Sequence, residues 1–291
     1  MRIFNYTGED EEVPDDVTHV TIDQSVRVIP EDAFYEHPSI VEVIFDVNVK
    51  EVEEGAFVRC YSLRRVIMPG VEVVEDEAFF NCQALTDVEC GKLEIIRYAA
   101  FDGCTSLRSI NLPSARIVER EALADTVLTD VKFGCKLETI EEMAFCDCTC
   151  LERITIPLKD DMMNDDDTFY GCANLKHVNL AEGGVHETIA ALQLEEWRND
   201  MYEEIDSINQ ILPTVSAGGE YNDVGDYEDG EKAQAIRTWI GSVLGKIVYY
   251  QAEHQRLLDE EVATALQLVL PQDIVMTNVL PFLELPTYTF E

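Results

Sequence analysis

Cys146-Asp147-Cys148-Thr149-Cys150 is the densest group of metal-ligating and redox-active side chains in the sequence. Structural zinc wants thiol pairs with about two to four intervening residues, plus two further ligands. Here a single residue separates the thiols, and Cys148 recurs as one member of a wider pattern, so the group reads as repeat plus chance. Asp160-Asp161 and Asp165-Asp166-Asp167 surround Met162-Met163-Asn164 and could crowd a calcium ion. No EF-hand spacing or loop glycine accompanies them, so a solvated acidic loop is favoured over weak divalent binding. His19, His37, His177, His186 and His254 stand in no recognisable partner motif. No GxGxxG, P-loop, HExxH or kinase signature occurs. No catalytic, cofactor-binding or metal-ligating residue is therefore assigned, and no enzyme is expected.

Charge narrows the partners further. The 291 residues include 58 acidic and 21 basic side chains, a formal net charge of −37. Such a field repels phosphate backbones and anionic lipid unless a basic patch overrides it. The densest basic pair is Arg64-Arg65, so neither nucleic acid nor a membrane is an expected partner. The opening Met1-Arg2-Ile3-Phe4-Asn5-Tyr6-Thr7-Gly8 lacks the apolar run of a secretory signal, and no stretch of about 18 apolar residues suggests a transmembrane helix. The nine cysteines then read as thiols in a reducing compartment, cytoplasmic or nuclear.

What organises these residues is a repeat. Ala33-Phe34 returns as Ala56-Phe57, Ala78-Phe79, Ala100-Phe101, Ala122-Leu123, Ala144-Phe145 and a degenerate Thr168-Phe169, at intervals of 23, 22, 22, 22, 22 and 24 residues. Three residues past the aromatic stands Cys60, Cys82, Cys104, Cys148 or Cys172; six past it stands Ile40, Leu63, Leu85, Leu107, Leu151 or Leu175. A short apolar strand begins at Val43, Val66, Val88, Ile110, Val131, Ile154 and Val178, and an aliphatic precedes the aromatic at Ile29, Val52, Val74, Ile96, Val118 and Ile140.

A unit of this size cannot close its own core, so its apolar positions must be covered by the same positions of its neighbours. Stacking at about 4.8 Å per coil does this. The expected result is a solenoid in which Phe forms one stacked column, Ala leaves room beside it, and Cys forms a second column of reduced thiols. Within a strand the period of two points Ile110 and Leu112 inward and Asn111 outward. Pro69, Pro113 and Pro157 end the ladder and turn the chain.

The unit Cys104-x-x-Leu107-x-x-Ile110-x-Leu112-Pro113, followed by Ile117-Val118 and Ala122-Leu123, resembles the BspA-like class of leucine-rich repeats. Cys60-x-x-Leu63-x-x-Val66-x-Met68-Pro69 and Cys148-x-x-Leu151-x-x-Ile154-x-Ile156-Pro157 carry the same likeness, which extends over about residues 17–182. The resemblance implies a fold and a binding role, not chemistry. The chain is also similar to a group of algal proteins familiar from diatoms, on the segments 16–20, 65–71 and 195–201; that likeness implies no activity.

After Gly183-Gly184 the period changes. Ala190, Leu194, Trp197, Met201, Ile205, Ile208 and Leu212 form one helical stripe. The expected organisation is an acidic N-terminal segment over 1–16, a leucine-rich-repeat solenoid over 17–184, and a first tail helix over 185–213. An acidic flexible loop follows over 214–230, then a long helix over 231–270 and a short C-terminal helix and tail over 271–291. The long helix has Ile236, Ile240, Val243, Ile247, His254, Leu258, Val262, Ala265 and Val269 near one face. It would be about 60 Å long, longer than one repeat needs. An α-helical hairpin is expected, with part of its first helix capping the last coil and the remainder projecting.

The outward positions of the strands are the candidate partner surface: Glu42/Ile44, Arg65/Ile67, Asp87/Glu89, Ser109/Asn111, Asp130/Lys132, Arg153/Thr155 and His177/Asn179. The expected function is a non-enzymatic protein-interaction scaffold, its partner a protein or peptide and its oligomeric state open. The rival reading is an adaptor in ubiquitin transfer. Leu270-Pro271-Gln272-Asp273-Ile274-Val275 and Val279-Leu280-Pro281-Phe282-Leu283 resemble the opening of an F-box, in too little chain and in reversed order relative to the repeats.

Overall fold

The computed structural model describes residues 2–8, 13–181, 189–192, 194–212 and 231–269, without the side chains of 211, 231 and 261–269. The acidic loop over 214–230, the short helix over 271–291 and the F-box-like segment lie outside the described residues.

The chain coils into a stack of short parallel strands. β1 (Ile3–Tyr6), β2 (His19–Ile22), β3 (Val28–Ile29), β4 (Glu42–Ile44), β5 (Glu51–Val52), β6 (Arg65–Ile67), β7 (Val73–Val74) and β8 (Asp87–Glu89) come first. They are followed by β9 (Ile95–Ile96), β10 (Ser109–Leu112), β11 (Ile117–Val118), β12 (Asp130–Phe133), β13 (Thr139–Ile140), β14 (Arg153–Ile156) and β15 (His177–Leu180). A nine-stranded sheet runs β1-β2-β4-β6-β8-β10-β12-β14-β15, and a six-stranded sheet runs β13-β11-β9-β7-β5-β3.

The first sheet is the expected ladder. The second was not expected, because its strands are two residues long and read in sequence only as one aliphatic before the aromatic. Pairing makes them strands: Val52 sits against Ile29 and Val74, and Ile96 against Val74 and Val118. Ile3–Tyr6, inside the expected acidic segment, adds the edge strand by pairing with His19–Ile22.

The columns form as the spacing requires. Phe34, Phe57, Phe79 and Phe101 stack with ring centroids 4.7, 5.0 and 5.1 Å apart. Leu123 takes the fifth place, and Phe145 and Phe169 resume the stack at 5.6 Å. The repeat starting one residue early keeps its register, since Val131 pairs with both Ile110 and Ile154.

Backbone geometry explains why the aromatic edge needs no regular strand. Two residues before each of the first six column side chains, the chain is left-handed, at Asp32, Gly55, Glu77, Ala99, Glu121 and Met143. Two residues after, it is left-handed again, at Glu36, Arg59, Asn81, Gly103, Asp125, Asp147 and Gly171. This alternation aims N–H groups along the stack: Phe57 donates to Ala78, Phe79 to Ala100 and Phe101 to Ala122. Buried amides are thereby satisfied between coils. At Gly70 the coils approach so closely that a Cβ would lie 1.9 Å from the Val47 carbonyl oxygen.

The tail forms an antiparallel hairpin of α1 (Glu195–Ile211) and α2 (Glu231–Val269). The expected first tail helix is interrupted: residues 189–191 are helical, but α1 starts only at Glu195, because Leu194 is extended at φ −90° and ψ 129° and its side chain is exposed. Glu195 and Glu196 then occupy the first turn, where the helix dipole favours carboxylates. Both helices cap the last coil. Asn209 Oδ1 accepts from the Val178 amide at 3.2 Å, and the N-terminal turns of α2 seat Lys232, Ala233 and Ile236 in the core. Trp239 is buried, its indole N–H donating to the Glu204 carbonyl at 3.0 Å. Beyond Tyr250, α2 runs past the start of α1, as its length implied.

Candidate functional site

The ladder thiols are structural. Cys60, Cys82 and Cys104 donate S–H to the carbonyls of Phe34, Phe57 and Phe79 at 3.0, 3.1 and 3.3 Å, each crossing to the preceding coil. Cys148 and Cys172 repeat this toward Leu123 and Phe145 at 3.1 and 3.0 Å. Thr126 occupies the position in the fifth coil, with its hydroxyl 2.9 Å from Leu123 O, and His37 occupies it in the first. A buried hydrogen-bonding side chain fills this position in every coil, and cysteine is the commonest solution. Burial pushes the Cys60 and Cys90 thiols up to about 12, so they are not nucleophiles at neutral pH. All nine cysteines are free.

The Cys146–Cys150 group does not converge. Cys148 is buried in its column, Cys146 lies 3.6 Å from Asp147 Oδ2, and Cys150 is exposed. Asp160 and Asp165 accept from the backbone N–H groups of Asp161 and Asp167. Asp165 caps a short 3-10 turn over Asp166–Phe169, and Asp166 pairs with Arg237. His37 is buried against Pro14 O, and burial holds its ring below the usual range. His19 stands 4.0 Å from Glu42; His186 lies outside the described residues.

The outward strand residues share one face. Register places Glu42, Arg65 and Asp87 side by side, with Ile44, Ile67 and Glu89 in the next row. Ser109, Asp130, Arg153 and His177 continue the first row, and Asn111, Lys132, Thr155 and Asn179 the second. Arg65 is surrounded by Glu42, Asp87 and Glu89 at 3.6, 3.0 and 2.6 Å, so its charge is consumed locally. Asp130 draws in Arg153 and Lys132 at 3.7 and 3.9 Å. Between these clusters the face is polar and uncharged at Ser109 and Asn111. Toward β4 it turns apolar at Ile44, which is 38% exposed, and Ile67.

The second sheet carries a face of its own. Val73, Ile95 and Ile117 form a half-buried aliphatic stripe between ionic rails. Arg116 joins Glu138 at 2.9 Å on one side and Arg97 joins Glu119 at 2.6 Å on the other. The residue beside each buried aliphatic was the only sequence signal for it.

Along the aromatic edge, Asp102 is pushed up to about 6 from an ordinary 3.8, by burial first and then by Asp125 and Glu121. A carboxyl whose folded pKa lies above its unfolded value costs stability when ionised. That cost is absent below pH 3.8 and complete above about pH 6. Asp102→Asn should therefore stabilise the chain at pH 8 by about 1 kcal/mol, a figure reduced for solvent screening of a half-buried group. Paired thermal melts should show the gain shrinking toward zero near pH 4; a gain independent of pH would refute the assignment.

A further concavity, absent from the sequence reading as a site, lies between the tail helices. Glu195, Glu196, Trp197, Asn199, Asp200 and Glu203 of α1 face Tyr249 and Tyr250 of α2 around an open groove of about 660 Å3. Its floor is held by Lys246, 3.0 Å from Asp200 and 2.9 Å from Glu204, and by Tyr250, whose hydroxyl donates to Asp200 at 2.6 Å. The adjacent Glu195-Glu196-Trp197 and Tyr249-Tyr250 were its only signal.

Residues 14–92 and 72–189 match the family described as BspA type leucine rich repeat region, in six copies. Among solved structures the chain is similar to a leucine-rich repeat protein from Eubacterium ventriosum, at 21% identity and a TM-score of 0.49, over 58% of this chain and 45% of that one. It is also similar to a leucine rich repeat protein of T. pallidum, at 24% identity and a TM-score of 0.39, over 61% and 68% of the two chains. An internalin from Listeria monocytogenes is similar at 14% identity and a TM-score of 0.31, over 58% and 56%. The chain thus spans less than half the length of the Eubacterium protein. No curated protein matches it.

Proposed function

Because the chain belongs to the BspA-type leucine-rich-repeat family, we propose that it is a non-enzymatic interaction scaffold whose nine-stranded face receives a protein or peptide partner. The observation that carries this reading is the arrangement of that face. Parallel register lines up outward side chains coil by coil, with exposed Ile44 and half-buried Ile67 beside locally paired ion clusters and an uncharged centre at Ser109 and Asn111. Solenoids offer long surfaces of this kind because each coil adds its own row. Arg65 already has its carboxylates, so its guanidinium needs no counter-charge from the partner.

The reading includes a reducing, intracellular setting, which the free thiol column supports. Among the described residues no helix is long and apolar enough to cross a membrane. The likeness of segments 16–20, 65–71 and 195–201 to diatom proteins belongs to the same reading and adds no activity. The ubiquitin-adaptor alternative rests on 270–285 alone, and no observation of the fold favours it.

The test is affinity capture from the native cell with the full chain and with Ile44→Arg and Asn111→Arg. Both positions point outward, so the stabilities of the variants should stay within about 0.5 kcal/mol of the parent's. A partner retained by the parent and lost by both variants is the expected result. An unchanged partner set would end the reading for this face.

A further inference from the structure

The groove between α1 and α2 has a chemistry distinct from the strand face. Three aromatic rings stand together: Trp197 stacks on Tyr250 with centroids 5.2 Å apart, and Tyr249 meets Tyr250 edge-on at 5.3 Å. Tyr249 is 60% exposed, although it belongs to a helix whose other face is core. Glu195, Glu196 and Glu203 line the same space, and no ion pair among the described residues reaches them.

The charge they carry is not balanced from within the tail. From residue 177 to 291 the basic residues are Arg198, Lys232, Arg237, Lys246 and Arg256. Each is engaged elsewhere. Arg198 donates to the Leu192 carbonyl, Lys232 to the last coil, and Arg237 pairs with Asp166. Lys246 holds Asp200 and Glu204, and Arg256 holds Glu253 and Glu260. Residues 199–231 and 257–291 contain no lysine or arginine at all, so no other stretch of the tail can supply a cation.

We propose that this groove binds the basic side chains of a partner polypeptide, an arginine or lysine seated over Trp197 and Tyr249 with Glu195, Glu196 and Glu203 around it. The ring faces attract a cation through their quadrupoles, and Arg adds planar stacking. The carboxylates supply charge-assisted hydrogen bonds once the cation is seated. A phosphate or acidic ligand is repelled by the same groups. The site is independent of the strand face, so either can fail without the other.

The net charge of the chain attracts any cationic peptide, so the experiment must separate rings from field. The full-length protein is titrated with acetylated hexa-arginine in about 0.15 M salt, where the Debye length is about 8 Å. Trp197→Ala and Tyr249→Ala leave the net charge unchanged. Each is expected to weaken binding by about fivefold, as loss of a cation–aromatic contact requires. Tyr249→Ala decides the matter if Trp197→Ala disturbs the hairpin, because the Tyr249 ring is mostly in solvent. Glu196→Gln with Glu203→Gln should weaken binding as well. Ring variants that bind within twofold of the parent would overturn the site in favour of the general field. Failure of the parent to bind, or a self-associated chain that covers Tyr249 and excludes the peptide, would also overturn it.

Discussion

Replacing Phe79 by alanine should lower the stability of the chain by about 3–5 kcal/mol, the usual loss for a buried aromatic truncated in a close-packed core. Phe79 is fully buried and lies in mid-column, 5.0 Å from Phe57 and 5.1 Å from Phe101. Its removal strips contacts from both neighbours, and the left-handed turns that bracket it cannot close the void. Each coil is stable only through its neighbours, so the damage should spread along the stack. Phe79→Leu should cost far less, because Leu123 already fills the same column. Guanidinium denaturation followed by circular dichroism checks both. A loss below about 1 kcal/mol for the alanine variant would mean that the column is not what holds the coils.

Lys232→Met should cost about 2–3 kcal/mol, the worth of hydrogen bonds made by a charged donor. Lys232 is only 2% exposed, and its ammonium donates to the carbonyls of Cys172 and Leu175 at 2.5 and 3.4 Å. The last coil has no successor to cover these oxygens. Methionine keeps the apolar stem but offers no donor, so the first turn of α2 should lift from the coil. Tryptophan emission reports the event through buried Trp239, with a red shift at temperatures where the solenoid is still folded. A single transition unchanged from the parent would show that this contact does not dock the hairpin.

The fold was legible because its demands are local and periodic. An apolar strand residue, a column aromatic and a small donor recur at constant offsets, and coil-on-coil stacking is the one way to bury them all. The second sheet was not legible as a sheet. Two residues such as Val73-Val74 carry no period, and only the identical pair one coil away makes them a strand. The left-handed turns were hidden for another reason: few of them use glycine, and residues such as Ala99 and Met143 give no warning of positive φ.

The tail divides the same way. Its stripes and the antiparallel pairing could be read from spacing, but the start of α1 at Glu195 could not. Nothing in the stripe marks Leu194 as extended, since periodicity registers which residues face the core and not where the backbone leaves the helix.

From its order of residues alone this chain had to stack, because each coil is too small to bury its own apolar side chains. Tertiary structure decided where charge is satisfied. Arg65 is neutralised across three strands, Lys232 reaches back to Cys172, and among the described residues no cation reaches Glu195, Glu196 and Glu203 of the α1–α2 groove, although Lys246 holds Asp200. Apolar burial depends on a pattern that repeats along the chain. An ion pair depends on distances between residues far apart in it, and those exist only once the coils and helices are packed.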